Sequence, residues 1–305
     1  MGDDARTTTL RPLLPVDARL TLGALRRGAR DPAQRVEGVS VWRASRTPDG
    51  PGAMHLAPRP GGAVDVTAWG PGAGWLLDTV PELLGVRDSL AGWAPMHPLV
   101  ADLHARFAGF RIGRTNRVLE SLVPAILEQR VTGLESRKSW EQLLRRYGER
   151  APGPAGERGL RVPPPPDLIA RIPSWEWHRM GVDMARWRAV RAAARVASRL
   201  EEAVGMAPAD ALTRLRAVPG VGEWTAAETA QRALGDADAV SVGDFHLAHI
   251  VGYALTGKRT DDAGMVELLE PYRPQRYRVT RLIELGGITG PRYGPRYAPR
   301  DYRAI

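Results

Sequence analysis

The sequence predicts an α+β fold, with an N-terminal antiparallel-sheet domain followed by a mostly α-helical domain. Three observations predict it. Val39-Ser40-Val41-Trp42-Arg43-Ala44 and Ala63-Val64-Asp65-Val66-Thr67-Ala68-Trp69 alternate in hydropathy, as half-buried strands do. Thr47-Pro48-Asp49-Gly50-Pro51-Gly52 between them has turn chemistry. From His97 onward, apolar residues recur mainly at helical spacing. A chain of 305 residues with 43% hydrophobic content can bury a sizeable core. The expected division is 1–98 for the mixed domain, 99–290 for the helical domain and 291–305 for a basic tail.

Taken in order, residues 1 to about 10 read as a disordered tail. Val16 to Arg27 reads as a short helix, and Gly74 to Leu84 as another. In the helical part, Leu99 to Phe107 has a helical period. The next helix is expected over Val118 to Gln129, capped by Thr115 or Asn116, with Pro124 as an internal irregularity. Glu135 to Tyr147 follows. Ala151 to Pro165 is rich in Pro and Gly and reads as a linker. Helices are then expected over Pro166–Ile172, Trp175–Met180, Met184–Val204, Pro208–Arg216, Glu223–Leu234, Phe245–Thr256, Gly264–Leu269 and Arg276–Leu285.

Composition narrows the function. The formal net charge is +9, and all but two of the 43 basic residues are arginine. That balance favours a polyanionic partner, and the guanidinium fork suits phosphate. A genome rich in G and C gives the same arginine bias. The absence of cysteine excludes disulfides, thiolate zinc sites, cysteine-held iron–sulfur clusters and a thiol nucleophile. No apolar run is long enough to span a membrane. Met1 to Arg6 is polar without an apolar stretch behind it, so the expected location is cytoplasmic and nucleoid-associated.

The most specific segment is Leu215-Arg216-Ala217-Val218-Pro219-Gly220-Val221-Gly222-Glu223-Trp224-Thr225-Ala226. A helix ends, Pro219 and Gly220 turn the chain, and Gly222 opens the next helix. Free amides at that helix start suit a phosphate. Asp244 follows a second loop, about twenty residues further on. It reads either as a helix N-cap or as a carboxylate brought beside bound DNA.

These residues carry a family resemblance. The chain resembles the helix–hairpin–helix DNA glycosylase superfamily, in particular the bacterial 3-methyladenine DNA glycosylase II branch. Val218 to Ala226 and Gly243-Asp244-Phe245-His246 are similar to that family's hairpin and catalytic aspartate. Leu122 to Thr132 is similar to its DNA-probing helix and loop, and Gly181 to Trp187 to a turn beside its cleft.

The resemblance implies a base-flipping enzyme for which Asp244 is the catalytic residue. Pro219, Gly220, Val221, Gly222 and Thr225 would bind DNA, with a monovalent cation on the carbonyls of Val218 and Val221. Gln129 and Arg130 fall at the wedge that fills the vacated stack, where the branch more often has an apolar residue. Trp224 occupies the position that bifunctional relatives fill with lysine, which implies base removal without strand nicking. Trp224, Phe245 and His246 fall at the base pocket. Glu228 and Glu284 stand where the branch has aromatics, so an acidic lining favouring cationic alkylated purines is expected. If the two carboxyls were buried together, one pKa would rise. His246 and His249 are spaced i, i+3 without further ligands, and neither metal nor cofactor is expected. Duplex DNA with alkylated bases is the expected partner of a monomeric enzyme. The competing reading is a non-catalytic lesion- or structure-binding protein.

Overall fold

In the computed structural model, residues 5–290 are described. The N-terminal part is a five-stranded antiparallel sheet in the order β1-β5-β4-β3-β2. Its strands are β1 (Arg6–Leu10), β2 (Gln34–Glu37), β3 (Ser40–Thr47), β4 (Gly50–Pro58) and β5 (Val64–Trp69). Val64, Val66 and Ala68 bury one face of β5, with Asp65 and Thr67 between them less covered. Two helices cover that face, α1 (Ala18–Gly23) and α2 (Ala73–Leu83), through Leu22, Leu76 and Val80.

Two expectations fail here for traceable reasons, and the expected turn is present but shorter, at Pro48-Asp49. Arg6–Leu10 is not a tail but an edge strand, with Thr8 opposite Val66. Its run of threonines is polar on both faces, so no alternation betrays it. Strand β4 starts inside the expected turn. Its Gly52 lets α2 pack closely: a Cβ there would lie 2.6 Å from Leu76 Cδ1 and 3.3 Å from Gly72 C, so Leu76 would have to shift. The expected linker is a packed element: it holds α6 (Pro154–Glu157) and β7 (Arg161–Val162), and β7 pairs with β6 (Glu149–Arg150) just before it. Ala151, Ala155, Leu160 and Val162 bury against Trp42 and Trp69 of the sheet. The Arg158 guanidinium lies 4.0 Å from the Trp42 ring centroid.

The helical part comprises α3 (Pro98–Arg106), α4 (Val118–Leu127), α5 (Gly133–Tyr147), α7 (Pro166–Arg171), α8 (Ser174–Arg179), α9 (Met184–Arg195), α10 (Ala197–Glu201), α11 (Pro208–Arg216), α12 (Glu223–Ala233), α13 (Leu247–Thr256), α14 (Asp262–Leu269) and α15 (Arg276–Leu285). It has two main cores. One gathers α4, α5 and α7 to α12 around Leu122, Ile126, Val190 and Ala226. The other joins α3 to α13, α14 and α15 around Leu103, Val251 and Leu282. Ala226 and Ala233 of α12 bury in the core it shares with α4, while Ala227 and Ala230 bury against Ala239 and Leu212.

The single helix expected over Met184–Val204 breaks at Val196, where the backbone leaves the helical region. The bend returns Leu200 and Ala203 to the same core. It also brings the Glu201 carboxylate to the start of α4, where it accepts from Val118 N at 2.9 Å and Leu119 N at 3.1 Å. Glu201 thus caps α4 in place of Thr115 or Asn116. Pro124 sits inside α4 without ending it. No helix among the described residues is long and apolar enough to cross a membrane.

Candidate active site

The hairpin joins α11 to α12. Val218 and Val221 are buried and anchor it, while Pro219, Gly220 and Gly222 are exposed. Val221 N donates to Val218 O at 3.0 Å and closes the turn. Gly220 has φ +86°, and a Cβ there would lie 2.8 Å from Ala189 Cβ of α9. Both facts require glycine. No side chain caps α12, and Ala226 is the first residue of its opening turn whose amide bonds to Gly222 O, at 3.0 Å. The amides of Glu223, Trp224 and Thr225 are therefore free at the positive end of the helix dipole.

Gln129 lies across this turn. Its Nε2 donates to Gly220 O at 2.9 Å and to Thr225 Oγ1 at 2.8 Å. Gln129 and the buried Thr225 side chain thus brace the hairpin, and Thr225 faces outward only through its amide. Arg130 is exposed and has no side-chain partner among the described residues, so it is not held in a surface ion pair. Its φ is +55°, in the left-handed region. That conformation costs a non-glycine residue about 1–2 kcal/mol. Arg130→Gly is therefore expected to raise stability by about 1 kcal/mol in a urea melt while weakening binding to lesion duplex.

Asp244 makes the cap contacts that its position suggested, and its second carboxylate oxygen reaches α12. Its Oδ1 accepts from His246 N and Leu247 N, both at 2.9 Å, and so caps the next helix. Its Oδ2 accepts from Trp224 Nε1 at 3.1 Å. The carboxylate is thereby fixed beside the start of α12. Regular α13 begins at Leu247 rather than Phe245. Phe245 is 77% exposed and is no core residue. Its ring meets the exposed His246 edge-on at 4.7 Å. His249 Nδ1 is 2.7 Å from Thr260 O, a local packing contact.

Glu228 and Glu284 do not form an unpaired acidic lining. Glu228 bonds Arg232 Nη1 at 2.7 Å and Ser241 Oγ at 2.6 Å, and both members of its ion pair are nearly covered. Burial pushes the Glu228 carboxyl upward, but Arg232, Ser241 and Arg27 outweigh that effect and hold it below its ordinary value. Glu284 has its own partner, Arg281 Nη1, at 2.8 Å. A third pair, Arg27–Glu128 at 2.8 Å, lies in the same field. Positive and negative charges balance, so the expected raised pKa does not arise at Glu228.

No protein-family model and no curated protein sequence matches the chain. Solved structures do match. The 3-methyladenine DNA glycosylase of Archaeoglobus fulgidus superposes with a TM-score of 0.75 at 17% identity, covering 91% of this chain and 97% of that one. An 8-oxoguanine glycosylase/lyase of Clostridium acetobutylicum, in its apo form, gives 0.70 at 11% identity, covering 93% and 96%. The 3-methyladenine DNA glycosylase of Schizosaccharomyces pombe, in complex with abasic DNA, gives 0.53 at 16%, covering 65% and 95%. The chain has the fold of the helix–hairpin–helix DNA glycosylases.

On this glycosylase fold, Trp224, Asp244 and the hairpin amides share one site, with Gln129 fastened to it and Arg130 projecting from the same turn. Phe245 and His246 adjoin Asp244 on the surface. Glu228 lies one helical turn beyond Trp224, and Glu284 of α15 lies near enough to act, with Glu228, on Arg232 and Tyr277. Sequence reasoning missed Ser241, Gln231, Arg232, Arg27 and Glu128. Of these, Gln231 left a signal, because with Trp224 and Glu228 it completes an i, i+4, i+7 stripe along one face of α12. The basic tail with Arg292, Tyr293, Arg296, Tyr297, Arg300 and Arg303 lies outside the described residues.

Proposed function

We propose that the chain is a monofunctional DNA glycosylase, a hydrolase of N-glycosyl bonds. It removes N3- or N7-alkylated purines flipped out of duplex DNA. The observation that carries this reading is the Asp244 carboxylate, held on two sides at the start of α12 beside free helix amides. The amides of Glu223, Trp224 and Thr225 bind phosphate. A monovalent ion on the carbonyls of Val218 and Val221 fits the turn. Val218 O spends one lone pair on Val221 N and keeps the other. Arg130 fills the vacated stack by its planar guanidinium.

When the C1′–N bond breaks, its electron pair leaves with the base. Positive charge grows on the sugar. Asp244 stabilises that charge and takes the proton of the attacking water. An alkylated purine is already cationic, so its departure needs little further protonation. The balanced pairs of Glu228 and Glu284 leave selection to the base's own charge and to stacking on the half-buried Trp224. Two lysines exist in the chain, Lys138 and Lys258, and neither lies in the hairpin. Schiff-base attack on the sugar therefore has no amine there.

Incubation of methylated duplex with the protein tests this. The expected products are free methylated purine and an intact strand that alkali cleaves at abasic sites, with no borohydride-trapped adduct. Tight lesion binding without release would favour the non-catalytic reading. A trapped adduct would refute the monofunctional one.

A further inference from the structure

We infer that Ser241, with Glu228 and Gln231 of α12, is a positioning residue for Asp244: one face of α12 is a three-rung scaffold that sets the loop 239–244. The inference rests on the function proposed above and names residues behind the reacting carboxylate. The rungs are Trp224, Glu228 and Gln231, at helical spacing on one face. Trp224 Nε1 holds Asp244 Oδ2 at 3.1 Å. Glu228 Oε1 accepts from Ser241 Oγ at 2.6 Å. Gln231 Nε2 donates to Ala239 O and to Ser241 Oγ, each at 2.9 Å.

The Ser241 hydroxyl thus donates to one rung and accepts from another, and both Ser241 and Gln231 are buried. The loop beyond it is short and tight. Asp244 N donates to Ser241 O at 3.3 Å, and Gly243 turns the chain at φ +87°. Where Ser241 sits therefore dictates where Asp244 emerges. The middle rung is itself fixed. Arg232 Nη1 bonds the Glu228 carboxylate at 2.7 Å and its carbonyl at 2.8 Å, while Arg232 Nε reaches Ala24 O at 2.9 Å. A charged acceptor makes the Ser241 contact stronger than a neutral one. Behind Trp224, which stacks on the base, neither Glu228, Gln231, Ser241 nor Arg232 needs to touch DNA. Their work is to hold a carboxylate within the small tolerance that an oxocarbenium-like transition state allows.

The test compares Ser241→Ala, Ser241→Thr and Gln231→Ala with wild type. Ser241→Ala is expected to slow single-turnover base release about a hundredfold. Its affinity for abasic duplex is expected to be unchanged. Amide exchange at His246 and Leu247, which the Asp244 cap protects, is expected to quicken. Ser241→Thr keeps the hydroxyl and is expected to restore both readouts. Gln231→Ala, which removes one of the two bonds on that hydroxyl, is expected to show a smaller loss. A folded Ser241→Ala that releases base at the wild-type rate overturns the inference. So does a loss of affinity equal to the loss of rate. Should the wild type release no base, the function proposed above falls, and amide exchange still decides the scaffold: unchanged protection in Ser241→Ala or Gln231→Ala overturns it.

Discussion

Asp244→Asn is expected to lower the rate of base release by about three orders of magnitude while leaving affinity for an abasic duplex nearly intact. A unit charge about 4 Å from a carboxylate is worth about 4 kcal/mol at an effective dielectric of 20. Each 1.4 kcal/mol is about tenfold in rate. The substitution keeps the side chain's shape. Asparagine is as good a helix cap as aspartate, so its oxygen retains the amides of His246 and Leu247. Its nitrogen then faces Trp224 Nε1, donor against donor, which adds a small local penalty. Single-turnover release, read beside abasic-DNA affinity and thermal stability, separates these effects. Release at the wild-type rate by the asparagine variant would remove Asp244 from the chemistry.

The second large effect is on stability. Arg232→Ala is expected to cost about 3–5 kcal/mol, because it leaves the covered Glu228 carboxylate without its ion partner. The double variant Glu228→Leu, Arg232→Leu is expected to cost much less, since it removes both charges together. The acid limb of the stability curve carries the same signature. The Glu228 pKa is held below its unfolded value. Its contribution is therefore present above the unfolded pKa and lost as pH falls through the folded one. Urea melts of wild type and Glu228→Gln should differ near neutrality and converge in acid. A constant gap at every pH would show that the charge of Glu228 does not stabilise the fold.

The hairpin was legible because its chemistry is local. A Pro-Gly-Val-Gly turn between two helices announces itself, and the alanines after it announce close packing. Asp244 was legible as a cap for the same reason, since its two amide partners are the next residues but one and two. What escaped depends on distant partners. The cap of α4 comes from Glu201, which no local pattern around Val118 reveals. Strand β1 is identified by its pairing with β5, and its own threonines are silent. The segment 151–165 reads as a linker until Trp42 and Trp69 cover it. The acidic lining expected from Glu228 and Glu284 dissolved because sequence placed the carboxylates without their arginines. Arg232 and Arg281 are only four and three residues away, yet nothing in the spacing distinguished a paired carboxylate from a pocket-facing one.

The covered ion pairs that join residues 27–88 to helices further along the chain have a consequence for how the chain is made. Arg43 pairs with Glu120 with both side chains less than a tenth exposed, and Arg27 pairs with Glu128. Asp88 waits longest, for Arg278, 190 residues downstream. Arg27, Arg43 and Asp88 emerge from the ribosome before their partners and are uncompensated until those follow. Asp88 and the loop that carries it therefore cannot reach their final burial until Arg278 has been translated, so a segment made early is finished late.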